Sequence, residues 1–531
     1  EMLNPDGTIY TTNLRVARAT DTYTLKGSAE EEIYEPSFTF HGFRYVEVTG
    51  CPGKPDLMDI TGIVVQSLTP ETGSFVCSEP LVNQLVSNIE WGQRSNFLEV
   101  PTDCPQRDER LGWMGDAEIF VRTATYNADV AHFFTKWLRD IEDAQLPEGG
   151  FTNVVPNILD DWRDGAPAWA DAGIIVPWTI FQVYADTRML DNHYAMMSRW
   201  VDYIAKDNPT YLWRTHRNFG GDGRIDFGDW LSIDADTPKD VLADAFFANS
   251  VALLSEIATI LGKEEDARKY STLFQNIKAA FNEAYVSADG RISGDTQTAY
   301  VLALRFNLLP EKLQTLAAQY LVDDIQRHND HLTTGFLGVG HLMPVLTETG
   351  HLDVAYRLLL QDSFPSWIYS IRHGATTIWE RWDGWTEDKG FQDPRMNSFN
   401  HYSLGSVGEW LYRYVAGIDT AIGPHGLFAG YKHILLRPHP GNVLTSVSAA
   451  YDSLHGRIVS DWHKEADGSF EWHITIPANT TATVYMPAST TSTITESREP
   501  AHEAPGVTFQ RHEDNVAIYT VGAGDYHFTV Q

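Results

Sequence analysis

The feature that most limits what this chain can fold into is a long succession of helical patterns between two β-patterned ends. From Ser78 the apolar residues recur at helix spacing, with Leu81, Leu85, Val86, Ile89 and Phe97 in the first run. Further runs follow at 116–144, 172–184, 190–206, 240–261, 264–285, 297–306, 312–327, 337–347, 352–360 and 401–415. That is eleven in all, with Pro, Gly or Asp marking the gaps. A series of this kind closes as a toroid or stays open as a solenoid. The segments have no fixed repeat length, which weighs against the solenoid.

The ends differ from the middle. Residues 1 to about 77 are rich in Thr, Tyr and Val, with strand-like Ser37–Phe40 and Arg44–Val48 broken at Pro5-Asp6-Gly7 and His41-Gly42. These few strands leave edges to be covered by sequence upstream or by the helical domain. Past Gly423 the alternation returns at 433–437, 446–451, 456–463, 470–476, 482–486 and 516–521, with Asp467-Gly468 as a hairpin turn. The expected division is 1–77, 78–422 and 423–531, and 531 residues are too many for one core.

The densest chemistry lies in Pro101–Glu118, PTDCPQRDERLGWMGDAE. Two prolines exclude a regular helix at its start, Gly112 and Gly115 permit close backbone approach, and Asp116 is placed to cap the next helix. Seven ionisable side chains crowd around Trp113 and Met114, a composition suited to a pocket floor.

A net charge of −32 argues against nucleic acid or an anionic membrane as partner, and a neutral substrate fits better. No apolar run is read as a membrane span. Sixteen Trp and 23 Tyr offer faces for sugar stacking, although packing claims most of them, and a homodimer stays open. Cys51, Cys77 and Cys104 match no zinc spacing, and nothing requires a disulfide. The start at Glu1-Met2-Leu3 shows no leader and enters mid-domain. A truncated N-terminus is expected, with the cytoplasm slightly favoured as location.

The run Asp103-Cys104-Pro105-Gln106-Arg107-Asp108-Glu109-Arg110, followed by Gly112-Trp113 and Gly115-Asp116, resembles the signature of family 78 glycoside hydrolases, the inverting α-L-rhamnosidases. The similarity continues through Phe151–Pro156, Trp169–Ala172, Gly228–Trp230, Thr377–Trp382 and Ser398–Tyr402. It implies a central (α/α)6 six-hairpin barrel of twelve helices, flanked by a partial N-terminal β-domain and a C-terminal antiparallel β-sandwich. It also implies hydrolysis, with inversion, of terminal α-L-rhamnosyl residues in rhamnose-containing glycosides or oligosaccharides, without cofactor or metal.

Inversion needs an acid to protonate the leaving oxygen and a second carboxylate to activate water. The resemblance gives these roles to Glu109 and Glu380 respectively. Like charges from Asp103, Asp108 and Asp116 favour a protonated Glu109, whereas Arg107 and Arg110 oppose it. Substrate contacts are expected from Asp103 and Asp116 on hydroxyls, from Trp113, Trp169 and Trp230 as an apolar wall, and from Trp382 and His401. Arg107 and Asp229 are weaker candidates, and Trp169 is preferred to Trp162. A nucleophilic Cys104 has no evident base beside it. A Ser-His-Asp hydrolase lacks its Gly-x-Ser-x-Gly elbow. A rhamnosyl-uronate lyase on the same barrel, or a carbohydrate-binding protein without activity, are the rival readings.

Overall fold

The computed structural model describes residues 1–531 except 29, 68–69, 160–164 and 216–225. Its centre is a double ring of helices. The inner ring consists of α2 (Met114–Asn127), α4 (Ala172–Tyr184), α6 (Lys239–Ile260), α8 (Gln297–Arg305), α10 (Phe336–Glu348) and a closing helical segment, 403–415, that tightens to 3-10 at its start and widens to a π turn at Leu411–Val415. Each inner helix packs on the next, and the closing segment meets both α10 and α2. The outer partners are α1 (Pro80–Asn96), α3 (Ala131–Ala144), α5 (Thr187–Asp207), α7 (Glu264–Tyr285), α9 (Glu311–Arg327) and α11 (Leu352–Leu359). This is the expected six-hairpin barrel. A short additional helix, α12 (Trp367–Arg372), packs on α1.

The twelfth barrel helix comes from the run 116–144, which is two helices. Ala128 turns extended at φ −153°, and Asp129 accepts the Ala131 N–H at 3.1 Å, starting α3 afresh. Asp116 lies in the first turn of α2 rather than capping it. Inner α4, α6 and α10 are covered on both sides, and their apolar residues lie all round the helix, while outer α3 and α5 keep one apolar stripe. For the same reason α6 has the length and hydropathy of a membrane span, contrary to the sequence expectation. In the structure its surface is covered by α4, α5, α7 and α8.

Two sheets follow the barrel. The seven-stranded one has the order Glu499–Pro500, Ile494–Glu496, Gly524–Val530, Phe470–Ile476, Gly456–Lys464, Ser446–Ser453, Gly73–Cys77. The five-stranded one has the order Val507–Glu513, Val516–Val521, Thr481–Pro487, His433–Leu436, Ile418–Thr420. The sandwich is antiparallel except where Thr481–Pro487 runs parallel to His433–Leu436. Gly73–Cys77, last of the N-terminal strands, belongs to this sandwich, Phe75 pairing with Ala449.

Among the described residues ahead of Gly73, the N-terminal β-pattern forms the two-residue strands Met2–Leu3 and Ile9–Tyr10. Ser37–Phe40 and Arg44–Val48 run without ladders, and Phe38, Phe43, Val46 and Val48 are exposed. Without a neighbouring strand their backbone groups have no sheet to join. What this region does supply is packing. Tyr10 stacks on Phe391 at 3.9 Å, in a small core with Ala375, Trp379 and Phe399.

Candidate active site

The signature loop is fixed from several directions at one mouth of the barrel. Its backbone pairs with the loop between α3 and α4 through Met114 N to Asn153 O and Val155 N to Gly112 O, both 2.9 Å. Gly112 is pressed against Val155 O, and a Cβ on Gly115 would stand 2.5 Å from the Trp169 ring. These two glycines let the neighbouring backbone and indole lie on the loop. Gln106 donates to Ser398 Oγ at 3.0 Å, tying the loop to the segment before the closing helix.

Arg107 is the hub. Its side chain is 1% exposed, and Nη2 lies 3.0 Å from Glu109 Oε2, 3.4 Å from Glu380 Oε2 and 3.9 Å from Asp103 Oδ2. Nε donates to Cys104 Sγ at 3.2 Å, while Nη1 is buried without a hydrogen-bond partner. Asp103, Cys104 and Glu109 stand close enough to hold a cation, yet Arg107 already supplies positive charge to all three.

Glu109 receives the Trp113 indole N–H on Oε1 at 2.9 Å, and Arg15 from the N-terminal segment meets Oε2 at 2.8 Å. Burial alone would raise this carboxyl, but Arg107, Arg15 and Trp113 together hold it below its ordinary value. Asp103 goes the other way. Its burial, reinforced by Glu109, pushes it well above the usual carboxylate range. Burial, with Asp103 nearby, also drives the Cys104 thiol well up, which leaves it without thiolate character.

Glu380 is 3% exposed and accepts the Ser398 N–H on Oε2 at 2.8 Å. Its neighbour Arg381 makes its ion pair with Asp383 at 2.8 Å. The flanking tryptophans part company. Trp379 joins the small core with Tyr10, and Trp382 donates to Thr334 O at 2.9 Å and meets Trp367 edge to face.

Across the mouth, Asp116 Oδ1 lies 3.1 Å from His401 Nε2 and accepts from Ser403 Oγ at 3.1 Å. Burial works against charge on His401, but Asp116 outweighs it and raises the imidazole. The aromatic side is centred on Phe227, a residue the sequence does not single out. Its ring lies 5.6 Å from Trp113, 4.6 Å from Trp169 and 5.8 Å from Trp230. Trp162 lies outside the described residues.

Asp229 requires a correction. Its Oδ2 accepts from Thr298 Oγ1 at 2.5 Å and Gly335 N at 2.8 Å, and its Oδ1 from Leu337 N at 2.9 Å and Gly338 N at 3.2 Å. All four acceptor positions of the carboxylate serve the fold, chiefly the start of α10. It has nothing left for a sugar hydroxyl.

Six helical hairpins with two carboxylates facing one guanidinium at a mouth walled by aromatic rings are the architecture of a six-hairpin glycosidase. The model of the bacterial α-L-rhamnosidase six-hairpin glycosidase domain matches residues 70–415, that of the C-terminal domain 417–501, and that of the concanavalin-like domain 1–66. The chain belongs to the bacterial α-L-rhamnosidase family. It is 50% identical to an α-L-rhamnosidase of Streptomyces avermitilis over all of this chain and 49% of that protein. An α-L-rhamnosidase of Formosa agariphila is 41% identical over 91% of this chain and 51% of its own length. The crystal structure of the Streptomyces avermitilis enzyme complexed with L-rhamnose superposes with a TM-score of 0.92 at 49% identity, covering 100% of this chain and 49% of that one. The chain thus spans about half the length of the curated relatives it matches.

Proposed function

We propose that the chain carries the catalytic centre of an α-L-rhamnosidase that removes terminal α-L-rhamnosyl residues from glycosides or oligosaccharides with inversion. The observation that carries this is the placement of Glu109 and Glu380 on one nitrogen of a buried arginine. Glu109 is the general acid, and Glu380, held by Ser398 N, is the base that activates water. Arg107 stands between them. Asp103, fixed by Leu111 N and the Cys104 thiol, meets one hydroxyl, the Asp116–His401 pair meets another, and Trp113, Phe227, Trp169 and Trp230 take the apolar face of the 6-deoxy sugar.

Because 3.0 and 3.4 Å meet at one nitrogen, the two facing oxygens lie no more than about 6.4 Å apart, short of the roughly 6.5–9.5 Å between carboxyl groups that suits inversion and inclusive of the roughly 5–5.5 Å of a retaining pair. Stereochemistry is therefore read from product. A proton NMR time course with an aryl α-L-rhamnopyranoside is expected to release β-L-rhamnose first. Initial α-anomer would reassign the two glutamates to a retaining scheme. No release from folded protein would move the assignment to a lyase or a binding protein. Glu109→Gln and Glu380→Gln should each lower turnover by about 10² to 10⁴ while leaving the fold intact.

A further inference from the structure

Within that reading, Glu109 presents a conflict. A general acid must carry its proton when the leaving oxygen departs. Yet two guanidiniums, Arg107 Nη2 at 3.0 Å and Arg15 Nη2 at 2.8 Å, lie on the same Glu109 oxygen and oppose protonation. The other groups around it are Asp103 and Asp108 of the same loop, the Trp113 N–H, and Glu380 across Arg107. One guanidinium has to yield, and the two differ in their freedom to do so. Arg107 is enclosed, with Nε on Cys104 and Nη2 among three carboxylates.

Arg15 is built differently. It follows the short turn Thr12–Leu14 with φ 57° and ψ −114°, a backbone conformation that costs a non-glycine residue energy and that the surrounding contacts must hold. The turn rests on Pro394–Met396, and Arg15 Nη1 donates to Arg395 O at 3.2 Å. The side chain is 25% exposed, and its Nε holds Asp108 Oδ1 at 2.8 Å independently of the nitrogen on Glu109. Nη2 can therefore leave Glu109 while Nε keeps its carboxylate.

We propose that Arg15 is a positioning residue for the general acid, a latch that bridges Glu109 and Asp108 in the free protein and keeps only Asp108 when the leaving-group side is occupied. Release removes one of two positive charges from Glu109, and burial then favours its protonated form at the moment it must donate. The N-terminal segment thereby enters the chemistry through one side chain.

The test is the pH dependence of hydrolysis of an alkyl α-L-rhamnoside, whose poor leaving group needs the proton. Activity falls above the pKa of the acid, and kcat/KM reports the free enzyme whereas kcat reports the complex. Arg15→Gln is expected to move the alkaline limb of kcat/KM up by about one pH unit and that of kcat by much less. Arg15→Lys, which keeps a cation, should reverse part of the shift, and Asp108→Asn, which removes the resting place, should lower kcat with little change in KM. An unmoved kcat/KM limb overturns the proposal, and equal movement of both limbs overturns the release. A melting curve establishes that each variant is folded. If Glu109→Gln keeps full activity the general-acid assignment itself fails. If Glu109→Gln is inactive and the Arg15→Gln limb stays put, only the latch fails.

Discussion

Cys104 Sγ accepts a hydrogen bond from Arg107 Nε at 3.2 Å, and this contact decides what the buried cysteine is for. Its thiol hydrogen goes to Asp103 Oδ2 at 2.7 Å, so the sulfur links the arginine hub to Asp103. Serine can make both bonds. Cys104→Ser is expected to stay within about threefold of wild-type turnover, and iodoacetamide should leave the native protein active. Cys104→Ala strands a buried donor and is expected to lower stability by about 1–3 kcal/mol, read in a denaturant titration.

Asp229 supplies a contrast between support and contact. Asp229→Ala leaves the N–H groups of Gly335, Leu337 and Gly338 without their acceptor, and should lower Tm by several degrees. Well below the melting range KM should remain near wild type. A large rise in KM without a change in Tm would return Asp229 to the sugar site.

Phe227 is expected to behave in the opposite way. Its ring touches three tryptophans of the wall, so Phe227→Ala removes apolar surface that serves ground state and transition state alike. The expected outcome is a roughly tenfold rise in KM with kcat little changed. A selective loss of kcat would place Phe227 in the chemistry.

His341 on α10 predicts an acid limit to stability. Burial, with Arg305 adding to it, lowers its imidazole to about 4 from an ordinary 6.5. Between those values the unfolded chain binds a proton that the folded one refuses, so stability falls as pH drops through this window, by up to about 1.4 kcal/mol per unit for one group. His341→Gln should flatten that part of the slope, measured as urea midpoints at pH 7 and pH 5. An unchanged difference between the two would assign the slope to other groups.

The barrel was legible because its inner and outer helices carry long periodic runs, and 172–184 and 264–285 coincide with α4 and α7. The break at Ala128–Val130 was not, since apolar spacing continues across it and only Asp129 marks the new start. Within the site, residues close in sequence could be read together. Arg15 could not, because it lies 94 positions before Glu109 with no local pattern to betray the contact. Phe227 could not be singled out either, because the convergence of Trp113 and Trp169 on it beside its near neighbour Trp230 is a tertiary event. Asp229 misled for the converse reason. An acid beside a tryptophan resembles a sugar contact until the four donors that claim it are in place.

The pairing of Gly73–Cys77 with Ser446–Ser453 sets an order on biosynthesis. The strand that leads into α1 leaves the ribosome before any barrel helix, yet its partner is made some 370 residues later. The inner ring also closes through 403–415, shortly before that partner appears. A nascent chain therefore holds an open arc of hairpins until 403–415 emerges, and a ribosome stalled near residue 430 would expose the unpaired edge of Gly73–Cys77 to the chaperones that patrol unfinished proteins.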